Sequence, residues 1–506
     1  MATRYNKMKQ TYNFFCRISI KFLLLILCLN AKSQEAKNLR WLEALNKAIN
    51  TKDTVGIAPF LAESFSIGGH TGNGARYRLA ESIKFTNKSI EGVMEQKPNC
   101  NGTQLIVAVK NNNGTISERQ VRLDNNNKII YFSLFDEIWG MDREKISRHI
   151  TTIPFENIQG KIIITAYINN NKDPLRLIFD SGADGMAISE KLAKKIGLKS
   201  NRQNLASMVG GSQNISISDE NSVKMGDLAL DRMGIAIFPQ FEDQFADGII
   251  GNTILSRFIT KIDYDNNQID LYSFGQFEYK GNGKVVSIDM PDGLILLRAN
   301  LGITKDKNVD GKFVFDTGAS YSLICFRPFV RENKLLISGF KPLIHSSTFS
   351  MGVSSPTFLG NSCNFSISGL PAIKDFPITL MGGTSNNETW KPGIDGSIGV
   401  RYYSRYNLTI NLGEGEIFFS PNKFNNFPQD FILKNYQFGW NNNGKLLLLN
   451  NYMATEKNTI MKVGKVVDKI GGIEAQKLKN NTVLIQNIQK LETMEIQFLD
   501  GTTFEI

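Results

Sequence analysis

Histidine and cysteine are scarce in this chain of 506 residues, which has 3 histidines and 5 cysteines. His70, His149 and His345 lie far apart along the chain, and no Cys-x-x-Cys pair occurs. Metal sites built from these residue types depend on close and regular ligand spacing. We therefore predict no metal site, and nothing in the composition indicates a cofactor.

Long apolar runs are missing as well. The run at 22–29 is too short to span a bilayer, but it follows basic residues and precedes an Ala-Lys-Ser sequence that ends at Ser33. This order is typical of a secretory signal, so we predict that residues 1–33 are removed by cleavage after Ser33. Cys28 raises the alternative of a lipid anchor, but Leu27 precedes it where a small residue is expected. We expect no stable membrane insertion after cleavage.

After residue 33, neither positive nor negative charge dominates the chain. The formal net charge is +10, but residues 1–33 contain Lys and Arg and no Asp or Glu. The smaller basic excess that remains is typical of a solvated surface. We therefore expect no nucleic-acid partner.

One short motif occurs twice. At 177–183 and at 313–319, an apolar run ends in Asp, a hydroxyl residue, Gly and Ala, which predicts a buried strand that turns sharply at its end. Each copy is followed by an Asp-Gly-x-Ile-Gly segment, at 247–251 and 395–399. The spacing from Asp247 to Asp263 equals that from Asp395 to Asn411. This is an internal repeat, and it predicts two similar halves.

The repeated motifs resemble those of the bilobal aspartic proteases of the retropepsin and pepsin clan. The resemblance implies two tandem β lobes, at 155–275 and 280–422, whose loops meet at a pseudo-twofold axis. Asp180 and Asp316 would then be the catalytic pair, because two adjacent carboxyl groups share one proton and together activate a water molecule. The assignment of acid and base to either residue stays open, since the two titrations belong to the pair.

Residues beside the two aspartates have implied supporting roles. By the same resemblance, the hydroxyls of Ser181 and Thr317 cross to the backbone of the opposite loop. Gly182 and Gly318 allow the tight turn and a close approach of backbone to carboxylate.

The positions after these glycines are Ala183 and Ala319, where pepsin-like enzymes often carry a hydroxyl donor that favours the charged carboxylate. We therefore expect a pH optimum that is mildly acidic to neutral. Ser397 and Asn411 depart from their first-half counterparts, which suggests a second half that is less constrained.

Two glycine-containing hairpins are candidates for a lid over the cleft. The candidate lid residues are Gly210 and Gly211 in the first hairpin, and Met351 and Gly352 in the second. The tyrosine of the pepsin flap is missing from the first. The alternative, two ordinary hairpins at sheet edges, stays open.

The flanking segments have different patterns. Residues 34–150 combine helical periodicity with alternating strands, and resemble the α+β fold of NTF2-like proteins. His70 would line a pocket of that fold, or it would serve a structural role. Residues 430–506 resemble a PDZ domain, with the carboxylate-binding loop at Phe438, Gly439 and Trp440. Such a domain binds an extended peptide by strand addition.

Three cysteines remain after the signal segment. Cys325 and Cys363 lie in the same half and would pair in an oxidising compartment, which would leave Cys100 unpaired. Three free thiols are the equal alternative.

The predicted fold class is therefore multidomain and mainly β: a two-lobed acid-protease β-barrel repeat between an NTF2-like and a PDZ-like domain. The implied function is that of a secreted or periplasmic aspartic endopeptidase that acts on peptides or unfolded proteins. The alternative is a catalytically weak or inactive envelope protein that binds peptides in the same cleft and in the PDZ-like domain. The domain combination resembles that of bacterial envelope proteins. Cleavage specificity and oligomeric state do not follow from the sequence.

Overall fold

The computed structural model describes residues 40–99, 102–209, 211–241, 243–350, 353–383, 393–452, 463–479 and 481–506. The chain is mainly β and multidomain, as predicted, and it divides into two compact units, Met1–Glu144 and Lys145–Ile506. None of the helices in these ranges has the length and apolar composition needed to cross a membrane. The following predicted features lie outside the described residues: the signal segment 1–33, Cys100, Gly210, Met351 and Gly352.

The first unit packs helices against an antiparallel sheet. Its helices are α1 at 40–51, a 3-10 turn at Ala58–Phe60, α2 at Gly72–Phe85 and α3 at Ser133–Ile138. Its sheet has the order β1-β2-β3-β4, with β1 Ser89–Asn99, β2 Gly102–Lys110, β3 Ile116–Leu123 and β4 Ile129–Phe132. The alternating apolar residues of the strands and one face of α1 share a single core that contains Trp41 and Val107.

His70 belongs to this unit and is half-buried. Its backbone exchanges hydrogen bonds with Ile67, at 3.0 and 3.1 Å. Burial, with the nearby charge of Arg78, lowers the pKa of His70 to about 4, so its imidazole is neutral at physiological pH.

The second unit begins with the strands of a first lobe. They are β5 His149–Pro154, β6 Glu156–Ile158, β7 Lys161–Ile168, β8 Leu175–Phe179, β9 Met186–Ser189, β10 Arg202–Met208, β11 Gly211–Met225, β12 Leu228–Phe238, β13 Gly248–Ile250, β14 Ile259–Asp263 and β15 Gln268–Tyr272, with helix α4 at Glu190–Lys195. Strands β6 to β13 form one sheet in the order β10-β11-β12-β9-β13-β8-β7-β6.

A second lobe follows along the chain. Its elements are β16 Lys284–Ser287, β17 Leu296–Gly302, β18 Asn308–Phe315, β19 Leu323–Cys325, α5 Arg327–Glu332, a 3-10 turn Leu335–Ile337, β20 Ile344–Ser350, β21 Val353–Asn361, β22 Asn364–Ile367, β23 Ile373–Lys374, β24 Pro377–Met381, β25 Gly396–Ile398, α6 Val400–Tyr403, β26 Tyr406–Asn411 and β27 Glu416–Pro421. Its sheet has the order β20-β21-β24-β19-β25-β18-β17-β22-β23.

The two large sheets repeat one topology. In each lobe the strand before the Asp motif runs parallel to the strand of the Asp-Gly-x-Ile-Gly segment, β8 with β13 and β18 with β25. The last three residues of β8 and of β18 are apolar and buried, as expected where a strand is covered on both faces. A third sheet, in the order β16-β27-β26-β14-β15-β5, joins the lobes through the antiparallel pair β14 and β26. The repeat in the sequence is therefore a repeat in the fold.

The C-terminal part has two small sheets around one core. Its elements are β28 Phe431–Leu433, β29 Tyr436–Trp440, β30 Leu446–Asn451, β31 Val467–Ile470, β32 Ile473–Glu474, α7 Ala475–Leu478, α8 Thr482–Ile488, β33 Glu495–Phe498 and β34 Thr503–Glu505. The sheet orders are β28-β29-β30 and β32-β31-β33-β34. Apolar residues of both sheets and both helices form the shared core.

The structure corrects the predicted carboxylate-binding loop. Phe438, Gly439 and Trp440 lie in β29, the middle strand of its sheet, and not in a loop. Phe438 is fully buried and pairs with β28 on one side and with β30 on the other. The aromatic residues are core residues, and both edges of β29 already have a partner strand. A peptide therefore has no open edge of β29 to join.

Candidate active site

The two motif aspartates begin tight loops at the ends of matching strands. Asp180 follows β8 and its amide donates to Ile250 O at 2.9 Å, while the Asp316 amide, after β18, donates to Ile398 O at 3.1 Å. The strand pairings of each lobe thus place each aspartate beside its own Asp-Gly-x-Ile-Gly segment. The segment's own Asp side chains, Asp247 and Asp395, accept backbone amides of the strands at 2.8 and 2.7 Å.

Reciprocal hydrogen bonds lock the two loops together. Ser181 Oγ donates to the backbone oxygen of Phe315, and Thr317 Oγ1 donates to that of Phe179, both at 2.7 Å. In return, the Ser181 amide donates to Thr317 Oγ1 and the Thr317 amide donates to Ser181 Oγ, both at 3.0 Å. All four bonds are buried, so each hydroxyl is held on both sides. This symmetric interlock fixes the carboxyl groups opposite each other.

Gly182 and Gly318 leave no room for a side chain. A Cβ at Gly182 would lie 2.6 Å from the carboxyl carbon of Asp316, and a Cβ at Gly318 would collide with Asp180 in the same way. The glycine amides donate to the carboxylate of their own loop, at 2.9 Å in the first and 3.0 Å in the second. The carboxyl groups of Asp180 and Asp316 are themselves hydrogen-bonded. The two half-buried carboxyl groups therefore form a facing pair that does not readily ionise twice.

The surroundings of the two carboxyl groups differ. Asp316 accepts further hydrogen bonds from the Ala319 amide at 3.0 Å and from Ser397 Oγ at 2.9 Å, with Tyr321 OH at 3.5 Å. For Asp180, the bonds given by the described residues are those from Gly182 and from Asp316.

Electrostatics follow this asymmetry. Burial raises the pKa of both carboxyl groups, and for Asp180 the negative charge of Asp316 raises the pKa further. For Asp316 the hydrogen bonds from Ser397 and from the Gly318 and Ala319 amides oppose the rise in pKa. The surroundings of Asp316 therefore favour its ionised form, and those of Asp180 favour its protonated form.

A cavity of about 430 Å³ contains both aspartates. Val209, beside the tip of the β10–β11 hairpin, lines this cavity and packs with Tyr321 against a buried second-lobe cluster of Ile324, Phe326 and Met381. Gly211 starts β11 and pairs with Met208. Both hairpins with candidate lid residues lie at an edge of their sheet.

Lys161 also lines the cavity. Its Nζ lies 2.8 Å from Asp243 Oδ2, so the charge is paired. It nevertheless opposes in part the rise in the pKa of Asp180.

Ser397 and Tyr321 are the contacts of Asp316 for which sequence reasoning proposed no role. The signal for Ser397 was present, because a hydroxyl stands where the first lobe has Ile249. Asn411, the other departure, has an ordinary structural role: its Oδ1 accepts the Glu414 amide at 3.3 Å, as Asp263 Oδ1 accepts the Asp265 amide at 3.0 Å.

Cys325 and Cys363 are free thiols in the structure, and no disulfide joins them. Within the described ranges, no group of three or more His, Cys, Asp and Glu side chains is placed to hold a metal ion.

Comparison with known proteins agrees with the geometry. The family model for aspartyl proteases matches residues 164–254, a segment that includes Asp180 and the first Asp-Gly-x-Ile-Gly segment. A search of curated proteins finds no match. The chain therefore contains an aspartyl protease-like domain.

Proposed function

We propose that this protein is an aspartic endopeptidase that hydrolyses peptide bonds in extended or unfolded polypeptides. The observation that carries the proposal is the interlock of the two loops, which places the half-buried carboxyl groups of Asp180 and Asp316 opposite each other. Such a pair cannot ionise twice at low cost, and therefore holds one acid and one base side by side.

The additional hydrogen bonds to Asp316 support one distribution of these roles. The carboxylate of Asp316 takes a proton from a water molecule as the water oxygen attacks the peptide carbonyl carbon. The carboxyl group of Asp180 donates its proton to the carbonyl oxygen, which gives a neutral tetrahedral diol. Collapse of the diol breaks the C–N bond: Asp316 donates the proton that it took from water to the leaving amine nitrogen, and Asp180 takes a proton from a diol hydroxyl as the carbonyl re-forms. Asp316 is then ionised and Asp180 protonated again, so the dyad is regenerated.

The flanking regions complete the proposal. We assign the first unit to the NTF2-like class and the C-terminal part to the PDZ-like class, on their sequence patterns together with their element order. Secretion to the periplasm or the exterior rests on the predicted signal segment 1–33. The domain boundaries remain those predicted from the sequence.

A cleavage assay tests the proposal. Protein lacking residues 1–33 is incubated with a denatured protein across a range of pH, and new peptide ends are identified by mass spectrometry. We expect cleavage by the wild type, inhibition by pepstatin-type compounds, and no cleavage by Asp180→Asn or Asp316→Asn. The exposed Asp306→Asn in the second lobe is the matched control and should retain activity.

If the folded wild type cuts nothing at any pH but binds the same polypeptides, the alternative function holds: a protein that binds peptides without cutting them. Equal cleavage by Asp316→Asn and the wild type would refute the dyad mechanism.

A further inference from the structure

The cavity that contains the dyad continues to the C-terminal part of the chain. One side of it is lined by a group that we name the C-terminal wall: Asp430, Phe431, Ile432, Gln437, Asn450 and Tyr452. These residues come from the sheet β28-β29-β30 and from the residues that flank it. The aspartates and the C-terminal wall therefore face one continuous space.

A buried ion pair holds this wall in place. Arg401 of α6 donates to both carboxylate oxygens of Asp430, from Nε at 2.7 Å and from a terminal nitrogen at 2.5 Å, and also to Trp440 O at 3.1 Å. Both partners of the pair are almost completely buried, so the contact is shielded from solvent. Arg405 adds bonds to the backbone oxygens of Phe427 and Pro428.

The same helix is attached to the catalytic loop. The Arg401 amide donates to Tyr321 O at 3.3 Å, and the Val400 amide donates to Ala319 O at 2.9 Å. The wall is therefore connected through one short helix to the loop that carries Asp316. Its position relative to the dyad is set by these bonds.

The polar groups of the wall match the backbone of a polypeptide. Tyr452 OH donates to Gln437 Oε1 at 2.7 Å, and the Asn450 side-chain amide is hydrogen-bonded to the same phenol. This arrangement fixes the orientation of both amide side chains and leaves Gln437 Nε2 as a donor and Asn450 Oδ1 as an acceptor. A peptide unit offers one acceptor and one donor, so an extended chain can satisfy both.

The charged side chains that line the cavity favour binding of an internal segment of a polypeptide over binding of its C-terminus. The Asp430 carboxylate is neutralised by Arg401, and Lys161, the basic side chain among the described residues of the cavity lining, is paired with Asp243. An unpaired cation for a terminal carboxylate is therefore missing from that lining.

We propose that the C-terminal wall is a distal subsite of the substrate cleft, which binds the backbone of an extended polypeptide several residues from the bond that is cut. This inference rests on the proposed endopeptidase function and adds to it a requirement for substrate length. The C-terminal part thus acts as a component of the substrate cleft, through its face and not through a strand edge.

Two peptides test the subsite. Both are centred on a bond that the wild type cuts in a denatured protein, one of about six and one of about twelve residues, because an extended chain advances about 3.3 Å per residue. Tyr452→Phe removes the hydroxyl that orients both amides. We expect KM for the long peptide to rise about three- to tenfold, the effect of one hydrogen bond, with kcat unchanged. Neither constant should change for the short peptide.

Tyr436→Phe is the matched control, since Tyr436 lies on β29 but packs against Phe504 in the core and does not line the cavity. Equal effects of Tyr452→Phe on both peptides, or no effect on either, would overturn the subsite. The affinity of Asp180→Asn for the long peptide, with and without Tyr452→Phe, gives a second readout without turnover. If the wild type cuts nothing, the proposed function fails; the denatured protein of the cleavage assay then replaces the long peptide in this binding measurement, which still decides the subsite.

Discussion

The hydroxyl of Ser397 offers the sharpest test of how the dyad works. It donates to Asp316 Oδ2 at 2.9 Å, and the first lobe has Ile249 at this position. Ser397→Ala removes a donor to the carboxylate but leaves the strand β25 and its neighbours unchanged. The substitution should therefore raise the pKa of Asp316 and reduce the difference between the two carboxyl groups.

The size of the effect follows from the hydrogen bond. A hydrogen bond to a charged group contributes about 1.5–3 kcal/mol, and about 1.4 kcal/mol corresponds to one pH unit in a titration. Tyr321 OH, at 3.5 Å, is too distant to replace the lost bond in full. We expect the acidic limb of the kcat/KM profile to shift to higher pH by about one pH unit. Activity well below the limb should fall about tenfold, while activity at neutral pH changes less.

The assay is a pH profile with a fluorogenic peptide that contains the preferred bond. Ser397→Thr keeps a hydroxyl and should resemble the wild type. Ser347→Ala makes the same substitution at an exposed position of the cavity lining, away from the dyad contacts, and should leave the limb in place. A profile of Ser397→Ala that superimposes on that of the wild type would refute the assignment of Asp316 as the ionised partner.

Three further predictions concern stability. Burial and a neighbouring charge raise the pKa of Asp180 in the folded state, so this residue stabilises the fold at acidic pH and the contribution is lost as pH rises. Asp180→Asn should therefore raise Tm at pH 7 relative to the wild type, with little difference near pH 4. The gain at pH 7 is about 1.4 kcal/mol for each pH unit between the unfolded-state pKa of Asp180 and pH 7. Thr317→Val leaves two buried backbone groups without their partner and should cost about 2–4 kcal/mol in denaturant unfolding. Arg401→Met leaves the buried carboxylate of Asp430 unpaired and should cost about 3–5 kcal/mol, of which Asp430→Leu in the same chain restores a part.

Each of these expectations has a contrary result. An equal change in Tm for Asp180→Asn at both pH values would show that dyad repulsion does not affect stability. If Thr317→Val unfolds at the same denaturant concentration as the wild type, the interlock is dispensable for stability. An Arg401→Met variant as stable as the double variant would remove the case for a charge-based attachment of the C-terminal wall.

The two loops that carry Asp180 and Asp316 could be predicted because their signals are local. The apolar runs before Asp180 and Asp316 are strands covered on both faces, and their composition does not depend on distant residues. The turn chemistry of Asp, hydroxyl residue and Gly follows directly in the sequence. Matched spacing between the two copies then indicated the duplicated sheet topology.

The C-terminal segment shows where local reasoning failed. The prediction places Phe438, Gly439 and Trp440 in a ligand loop because they stand where the carboxylate-binding loop of a PDZ domain would be. In the fold they form a middle strand, since residues from both flanking strands and from α8 provide a core for the aromatic side chains. That core exists only after distant segments have come together.

The sequence by itself determined the two strand-and-turn motifs, their duplication and the identity of the paired carboxyl groups, since each depends on residues that are adjacent in the chain. Only the tertiary structure made the surroundings of the two carboxyl groups unequal, because the donor Ser397 lies 81 positions from Asp316 in the sequence. It also decided that the C-terminal sheet lines the same cavity as the dyad. Desolvation and hydrogen bonding depend on which groups meet in space, and a linear pattern contains that information only where neighbours in space are also neighbours in sequence.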